Sequence, residues 1–291
     1  MSSFRFHRPG SLEEACKLGE KLQDRARYLA GGTELVPDFR SGRDSAEDLI
    51  SLKDIPGLDS IQAEEEGLRI GSMATLAQIA HSDDVRQHSP ALARAASLMA
   101  GEQIRSQATI GGNFCRAVSC ADTPPICIVS EAQLQLHSLS GVRTMPAEDF
   151  FTGPRQTLLL PGEILHSLFL PNPGKGFGAS YQRFTLKQGQ ALAVAAVAAS
   201  LLLREGKIAR ARIALAAVAP TPLLVPDAGR FLEGKPADAC HFPKASELAE
   251  AAASPICDLR GSEQYRRDLV KILSLRALEE ALAIAEGGKD E

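Results

Sequence analysis

Apolar and polar positions alternate along the chain with two periods, one of helices and one of strands. Near the N-terminus, Ser11 and Glu14 have the spacing of a capping box, and Leu12, Ala15, Cys16 and Leu22 fall on one face of the helix that follows. That places Cys16 in a core. A short strand is predicted over residues 27–30, ended by the Gly31-Gly32 turn, with further strands over 48–52 and 68–72. Thr75 caps a helix reaching about His81, and Pro90 opens another that Gly101 ends. Segment 107–113 is glycine-rich and leads into 114–122, which has no clear period. Asp122, Thr123, Pro124 and Pro125 then have the form of a helix start, with Asp122 as the capping carboxylate.

Strands over 134–137 and 163–170 precede Pro-Asn-Pro-Gly-Lys-Gly at 171–176, the best linker in the chain. The domain boundary is placed there, giving 1–175 and 176–291. Residues 191–203 are alanine-rich and favour a helix on propensity alone. The turn at 204–207 and the alternation of Ile208, Arg210 and Arg212 point instead to a hairpin, so antiparallel strands are predicted. Ser262 caps a last helix, with Tyr265, Leu269, Ile272, Leu273 and Leu282 near one face.

Composition narrows the function classes. At 291 residues with 44% hydrophobic positions, the chain is long enough for two folded domains. The net charge of −4 comes without any Lys/Arg-rich run, which argues against nucleic acid as a partner. No apolar stretch is long enough for membrane insertion, and the N-terminus lacks the apolar core of a secretory leader, so a cytoplasmic location is expected. The six cysteines form no disulfide framework. Cys115, Cys120 and Cys127 cluster loosely, but the Cys-x-x-Cys pair typical of a metal or Fe–S site is missing. The six histidines show no ligand spacing, and no metal site is expected.

Two glycine loops carry the candidate chemistry: 29–35 (Leu-Ala-Gly-Gly-Thr-Glu-Leu) and 108–113 (Ala-Thr-Ile-Gly-Gly-Asn). Glycine lets a ligand approach the backbone, and successive N–H groups in such turns make an anion-binding concavity. Two such loops are able to hold a diphosphate from two sides, with Thr33 and Thr109 adding hydroxyls. Taken alone, each is also read as a plain turn, and neither matches the dinucleotide or Walker fingerprints.

Resemblance to a family decides between these readings. Segment 28–37 resembles the first flavin loop of the medium subunits of carbon monoxide dehydrogenase, nicotinate dehydrogenase and related molybdenum hydroxylases. Segment 99–113 resembles their second loop and the flavin domain of xanthine dehydrogenase: Gln103-Ile-Arg105, then Thr109-Ile-Gly-Gly-Asn113, with Asp122 nine residues further on. Segments 160–165, 213–222 and 260–267 are similar to further family segments, so the resemblance covers essentially the whole chain. It implies an α+β fold: a two-lobed PCMH-type, vanillyl-alcohol oxidase-like FAD-binding fold, with lobes of about 1–55 and 56–175. A C-terminal domain with a three-stranded antiparallel sheet and helices is implied after it.

The resemblance further implies FAD in this chain, contacted by Leu29, Ala30, Gly31, Gly32, Thr33, Glu34 and Leu35 and by Thr109, Ile110, Gly111, Gly112 and Asn113. Asp122 matches an aspartate at the isoalloxazine; Met99 and Leu165 match positions lining the flavin or adenine pocket. Arg183 or Lys187 is the candidate basic residue near the ring, and Gln190 stands where the family often has an acid. Segment 113–120 resembles the 4-hydroxybenzoyl-CoA reductase branch, but its cysteine-rich insertion is missing, so no cluster is expected here. The implied role is electron transfer in a heterotrimer or its dimer, with a small 2Fe-2S subunit and a large molybdopterin subunit. The external acceptor would be NAD, a quinone or O2. No catalytic side chain is assigned. The alternatives are a stand-alone flavin oxidoreductase of the same fold and a flavin-free scaffold subunit.

Overall fold

The computed structural model describes residues 4–187 and 189–287. The first three residues, part of the segment read for a leader, lie outside the described residues.

The first lobe is a small parallel sheet crossed by helices. Strand β1 (Arg5–His7) leads to α1 (Leu12–Leu22), β2 (Ala26–Leu29), α2 (Leu35–Ser41) and β3 (Asp48–Ser51), and β3 lies between β1 and β2. Ser11 caps α1 by accepting from the Glu14 amide, while the Glu14 carboxylate accepts from Gly10 rather than from Ser11. Cys16 is buried beside Ile50, Leu52 and Leu58. Asp48, at the start of the central strand, ties it to β1: its buried carboxylate accepts from Arg5 at 2.8 and 2.7 Å and meets His7 Nε2 at 2.7 Å. These partners hold the Asp48 carboxyl down to about 2. A depressed carboxylate contributes stability that is complete above its unfolded pKa of about 4 and is lost as pH falls through the folded value. Acid unfolding followed by circular dichroism is therefore expected to show a loss of stability between about pH 4 and pH 2 that Asp48→Asn flattens.

The second lobe is built on an antiparallel sheet. It contains β4 (Ile61–Glu64), β5 (Gly67–Gly71), α3 (Leu76–His81), α4 (Asp83–His88), α5 (Pro90–Leu98), α6 (Glu102–Arg105), α7 (Ile110–Cys115) and α8 (Thr123–Val129). It continues through β6 (Gln133–Ser138), β7 (Gly141–Pro146), β8 (Phe151–Gly153), β9 (Gln156–Thr157) and β10 (Ile164–Pro171). The five-stranded order is β4-β5-β10-β6-β7, with β8 and β9 a separate ribbon. Thr75 makes a full capping box with Gln78 at the start of α3.

Beyond residues 172–176 lie β11 (Phe177–Phe184), β12 (Ala195–Arg204), β13 (Lys207–Ala216) and β14 (Leu223–Leu224). Helices α9 (Pro226–Leu232), α10 (Phe242–Ala252) and α11 (Glu263–Ala285) follow. Three long antiparallel strands carry a fourth, two-residue strand at the edge. The alanine-rich run is strand β12 because both of its faces are buried. Ala196 and Ala198 pack into the core of the second lobe, while Ala195, Val197, Ala199 and Leu201 pack into the core beneath α10 and α11. Small side chains let helices approach closely on both sides: a Cβ on Gly178 in β11 would stand 2.0 Å from the Ala281 carbonyl oxygen of α11. Two-sided burial overrides the helical propensity of alanine.

The buried stripe of α11 differs from the expected one. Leu269 and Leu273 are buried, with Val270, Ala277, Leu278 and Ala281, but Tyr265 and Ile272 are 40% and 48% exposed. Close approach to the sheet selects the alanine-bearing side of the helix rather than the bulkiest residues. Among the described residues, no helix is long and apolar enough to cross a membrane.

Candidate functional site

Both glycine loops lie where a strand or turn delivers the chain into a short helix. The first leaves β2 after Leu29 and enters α2 at Leu35, with Glu34 at the N-cap position. Gly32 has φ +70°, a conformation that favours glycine. The second enters α7 from Thr109, whose Oγ1 accepts from the Gly112 amide at 3.0 Å. Gly111 is a close-approach glycine: its amide donates to the Ser72 carbonyl at 2.8 Å, and a Cβ there would stand 2.6 Å from Ser72.

The loops converge. A Cβ on Gly31 would stand 1.9 Å from the Gln107 carbonyl oxygen, so the first turn packs directly on the segment that starts the second. A Cβ on Gly112 would meet only Thr109 Oγ1 at 3.0 Å and the Ala30 Cβ at 3.9 Å. Between and beyond these backbones opens a cavity of about 1020 Å³. That is at the upper end of the range for small-molecule sites, of order 300–1,000 Å³, and fits an extended dinucleotide.

The cavity wall gathers Ala30, Gly31, Gly32, Thr33, Glu34, Leu35, Met99, Thr109, Gly111, Gly112, Asn113, Asp122 and Leu165. Leu29 and Ile110 are not on it: Leu29 belongs to β2 and the Ile110 side chain points into the core. Asn113 is partly committed elsewhere, because its Oδ1 accepts from the Thr123 hydroxyl at 2.7 Å. Arg105, from the Gln103-Ile-Arg105 motif, donates to the carbonyls of Met99 and Ala100 at 2.8 and 3.0 Å, fixing a turn in which Ala100 has φ +43°. Gln103 and Ile104 face the cavity beside it.

Asp122 does not cap α8 with its side chain. Its carboxylate instead accepts from the Tyr181 hydroxyl at 2.6 Å and from Arg183 Nη1 at 3.0 Å, while Arg183 also donates to the Leu98 carbonyl. Burial raises the Asp122 carboxyl above its ordinary value against the pull of Arg183 and Tyr181, and burial likewise raises Tyr181. Asp122 does stand at the N-cap position of α8, but its tertiary partners from β11 outcompete the local cap. Arg183 therefore reaches the site through Asp122, whereas Lys187 is exposed and off the cavity wall. Gln190, Ala191 and Leu192 line the mouth.

Other wall residues carried no signal in the sequence. Arg27, Arg43, Arg116 and Arg155 come from separate elements and share no spacing. Cys115 and Cys120 reach the cavity as free thiols, while Cys127 is buried in the core. Among the described residues, the one group of potential metal ligands within 4.8 Å of one another is Asp238, Cys240 and His241. These were not expected to come together; they lie off the cavity wall, and the Asp238 carboxylate already accepts from the Cys240 amide at 2.9 Å.

Known proteins match both parts of the chain. The family model for the FAD binding domain in molybdopterin dehydrogenase matches residues 2–173, and that for the CO dehydrogenase flavoprotein C-terminal domain matches residues 179–281. The carbon monoxide dehydrogenase medium chain of Afipia carboxidovorans is 36% identical, covering 98% of both chains. A xanthine dehydrogenase FAD-binding subunit of Escherichia coli is 32% identical over 98% of this chain and 97% of its own length. A chain of the carbon monoxide dehydrogenase from Hydrogenophaga pseudoflava superposes with a TM-score of 0.94 at 34% identity, covering 97% of this chain and 98% of that one.

Proposed function

Because the chain belongs to the FAD-binding family of molybdopterin dehydrogenases, we propose that it serves as the electron-transfer subunit of a molybdenum hydroxylase, between an Fe–S partner and an external acceptor. Its domains in this reading are 1–175, which grips the cofactor, and 176–291, which covers one side. The observation that carries the reading is the convergence of two glycine turns on one dinucleotide-sized cavity. The residues present fit FAD. Gly31, Gly32, Gly111 and Gly112 all line the cavity, Gly112 with no side chain to bar a diphosphate, and Thr33 and Thr109 stand beside them. Met99, Leu165 and Ile104 offer an apolar surface for a ring, and Asp122 offers a polar contact held in place by Tyr181 and Arg183.

When bound, FAD supplies the capacity to accept and release electrons singly or in pairs, and the protein's part is binding, orientation and electrostatics. No side chain is assigned as nucleophile or general acid. Asp122, Tyr181 and Arg183 form a packed polar unit that fixes the wall against which the ring would rest. The partners proposed are a small 2Fe-2S subunit and a large molybdopterin subunit, which would hold the molybdenum cofactor and recognise the organic substrate. The acceptor class is NAD, a quinone or O2, and the location is cytoplasmic.

The test is the absorption spectrum of the purified chain, followed by reconstitution. The chain is expected to be yellow, or to take up added FAD, and to support substrate-dependent reduction of an acceptor only together with both partners. A folded chain that stays colourless beside its partners overturns the reading. Substrate turnover by the lone chain replaces it with that of a self-sufficient flavin oxidoreductase.

A further inference from the structure

In the connection between α9 and α10, away from the cavity, three side chains of different chemistry meet: the Asp238 carboxylate, the Cys240 thiol and the His241 imidazole. One donor atom of each lies within 4.8 Å of the other two. The backbone brings them together. Asp238 precedes a single 3₁₀ turn, Ala239–His241, and its Oδ1 accepts from the Cys240 amide at 2.9 Å. The turn is held on both sides. Before it, the Ala237 and Asp238 amides donate to the carbonyls of Gly206 and Pro236; after it, Phe242 is fully buried. The His241 ring stands at 77° to the Phe231 ring, 6.4 Å between centroids.

The charges around Asp238 differ from those around its neighbours. Asp227, Glu247 and Asp258 of the same domain each pair with a lysine or arginine. Asp238 has no such partner among the described residues, and Lys235 lies instead over the Phe231 ring, 4.3 Å from its centroid. Bonds from the Cys240 thiol and amide, with the nearby His241, hold the Asp238 carboxyl below its ordinary value. Asp238 and Cys240 are exposed and His241 is half-buried, so an ion in solvent reaches the trio without any opening of the fold. One oxygen, one sulfur and one imidazole nitrogen make the mixed set that suits Zn2+ and its neighbours, whereas Mg2+ and Ca2+ favour oxygen alone. Ligands of a tetrahedral ion with bonds of about 2.0–2.3 Å stand about 3.3–3.8 Å apart. Side-chain rotation closes the separations seen here to that range.

We propose that Asp238, Cys240 and His241 form a surface site for Zn2+ or a similar transition-metal ion, with water in the fourth position. The ion takes the place of the thiol proton, which passes to solvent as sulfur binds. Carboxylate and thiolate then balance its two positive charges, and the imidazole binds neutral. The ion ties Asp238 across the turn that leads into α10. The site stands apart from the flavin cavity and does not depend on the FAD reading.

The experiment uses the full chain as purified, stripped of metal by a chelator and titrated with Co2+, then with Zn2+ as competitor. The bands of tetrahedral Co2+ lie to the red of flavin absorption. The wild-type chain is expected to develop them with one ion per chain, to release about one proton per ion, and to lose them when Zn2+ is added. Cys240→Ser and His241→Ala are expected to abolish the bands. Asp238→Asn keeps the oxygen that accepts from the Cys240 amide and is expected to weaken Co2+ by at least about ten-fold, the loss typical of an outer-shell partner and so a lower bound for a ligand. Thermal melts of the metal-free variants check that each is folded. A wild-type chain that shows no tetrahedral bands overturns the inference. Bands that survive Cys240→Ser, or that disappear in Cys257→Ser instead, overturn it as well, because the thiolate would then belong to another cysteine.

Discussion

Gly112→Val is expected to abolish stable FAD binding, raising the dissociation constant by about 100-fold or more, or about 2.7 kcal/mol, while the melting temperature of the flavin-free chain stays close to wild type. The structure separates these two effects. Gly112 sits in the first turn of α7 without positive φ, and a Cβ there touches only a hydroxyl and a methyl group at its margins. The rest of the valine side chain extends into the cavity between the glycine turns, where the nucleotide backbone is proposed to lie. Fluorescence of FAD released on dilution, alongside a thermal melt, checks both halves. Full flavin occupancy in this variant would sink the assignment of the second loop.

Gly31→Val, in the other loop, is expected to do the opposite: the chain loses its fold before its cofactor. A Cβ on Gly31 would lie 1.9 Å from the Gln107 carbonyl oxygen and 3.1 Å from the Ala108 Cα, both backbone atoms that no rotamer change moves aside. Overpacking of this kind costs about 3 kcal/mol or more, a large share of a net stability of about 5–15 kcal/mol. The expected result is a fall in melting temperature of about 6–12 °C, or failure to yield soluble protein, with or without added FAD. A variant that melts like wild type would show that the two loops do not pack on each other. The pair of substitutions distinguishes a glycine kept for the ligand from one kept for protein contact. The sequence presents both alike, as Gly-Gly after a strand or turn.

The local signals in the chain were strong where the physics is local. Caps at Ser11, Thr75 and Ser262 satisfy amides three residues away, so residue type and spacing suffice to place three helix starts. The loops at 29–35 and 108–113 were legible for the same reason, since glycine announces backbone that a side chain would obstruct. The hairpin of β12 and β13 was legible from its turn and alternation in spite of its alanines. The buried stripe of α11 was not, because hydrophobicity alone ranks Tyr265 and Ile272 above the alanines that actually meet the sheet.

Long-range partners were beyond reach. Asp122 reads as a helix cap until Tyr181 and Arg183, 59 and 61 residues later in the chain, are found bonded to it. Arg116 has no motif of its own, and its partner Asp38 lies 78 residues away on a helix that the pattern did not predict. The amino-acid sequence by itself determined the helix starts, the two glycine turns and, through its likeness to a family, the cofactor of the domain. Only the tertiary structure decided which glycine faces the cavity, which face of each element is buried, and that Arg43, Arg116 and Arg155 gather on Asp38. Capping and turn geometry act over a few residues of one chain segment, whereas burial and ion pairing depend on distances that exist only once the lobes have closed on each other.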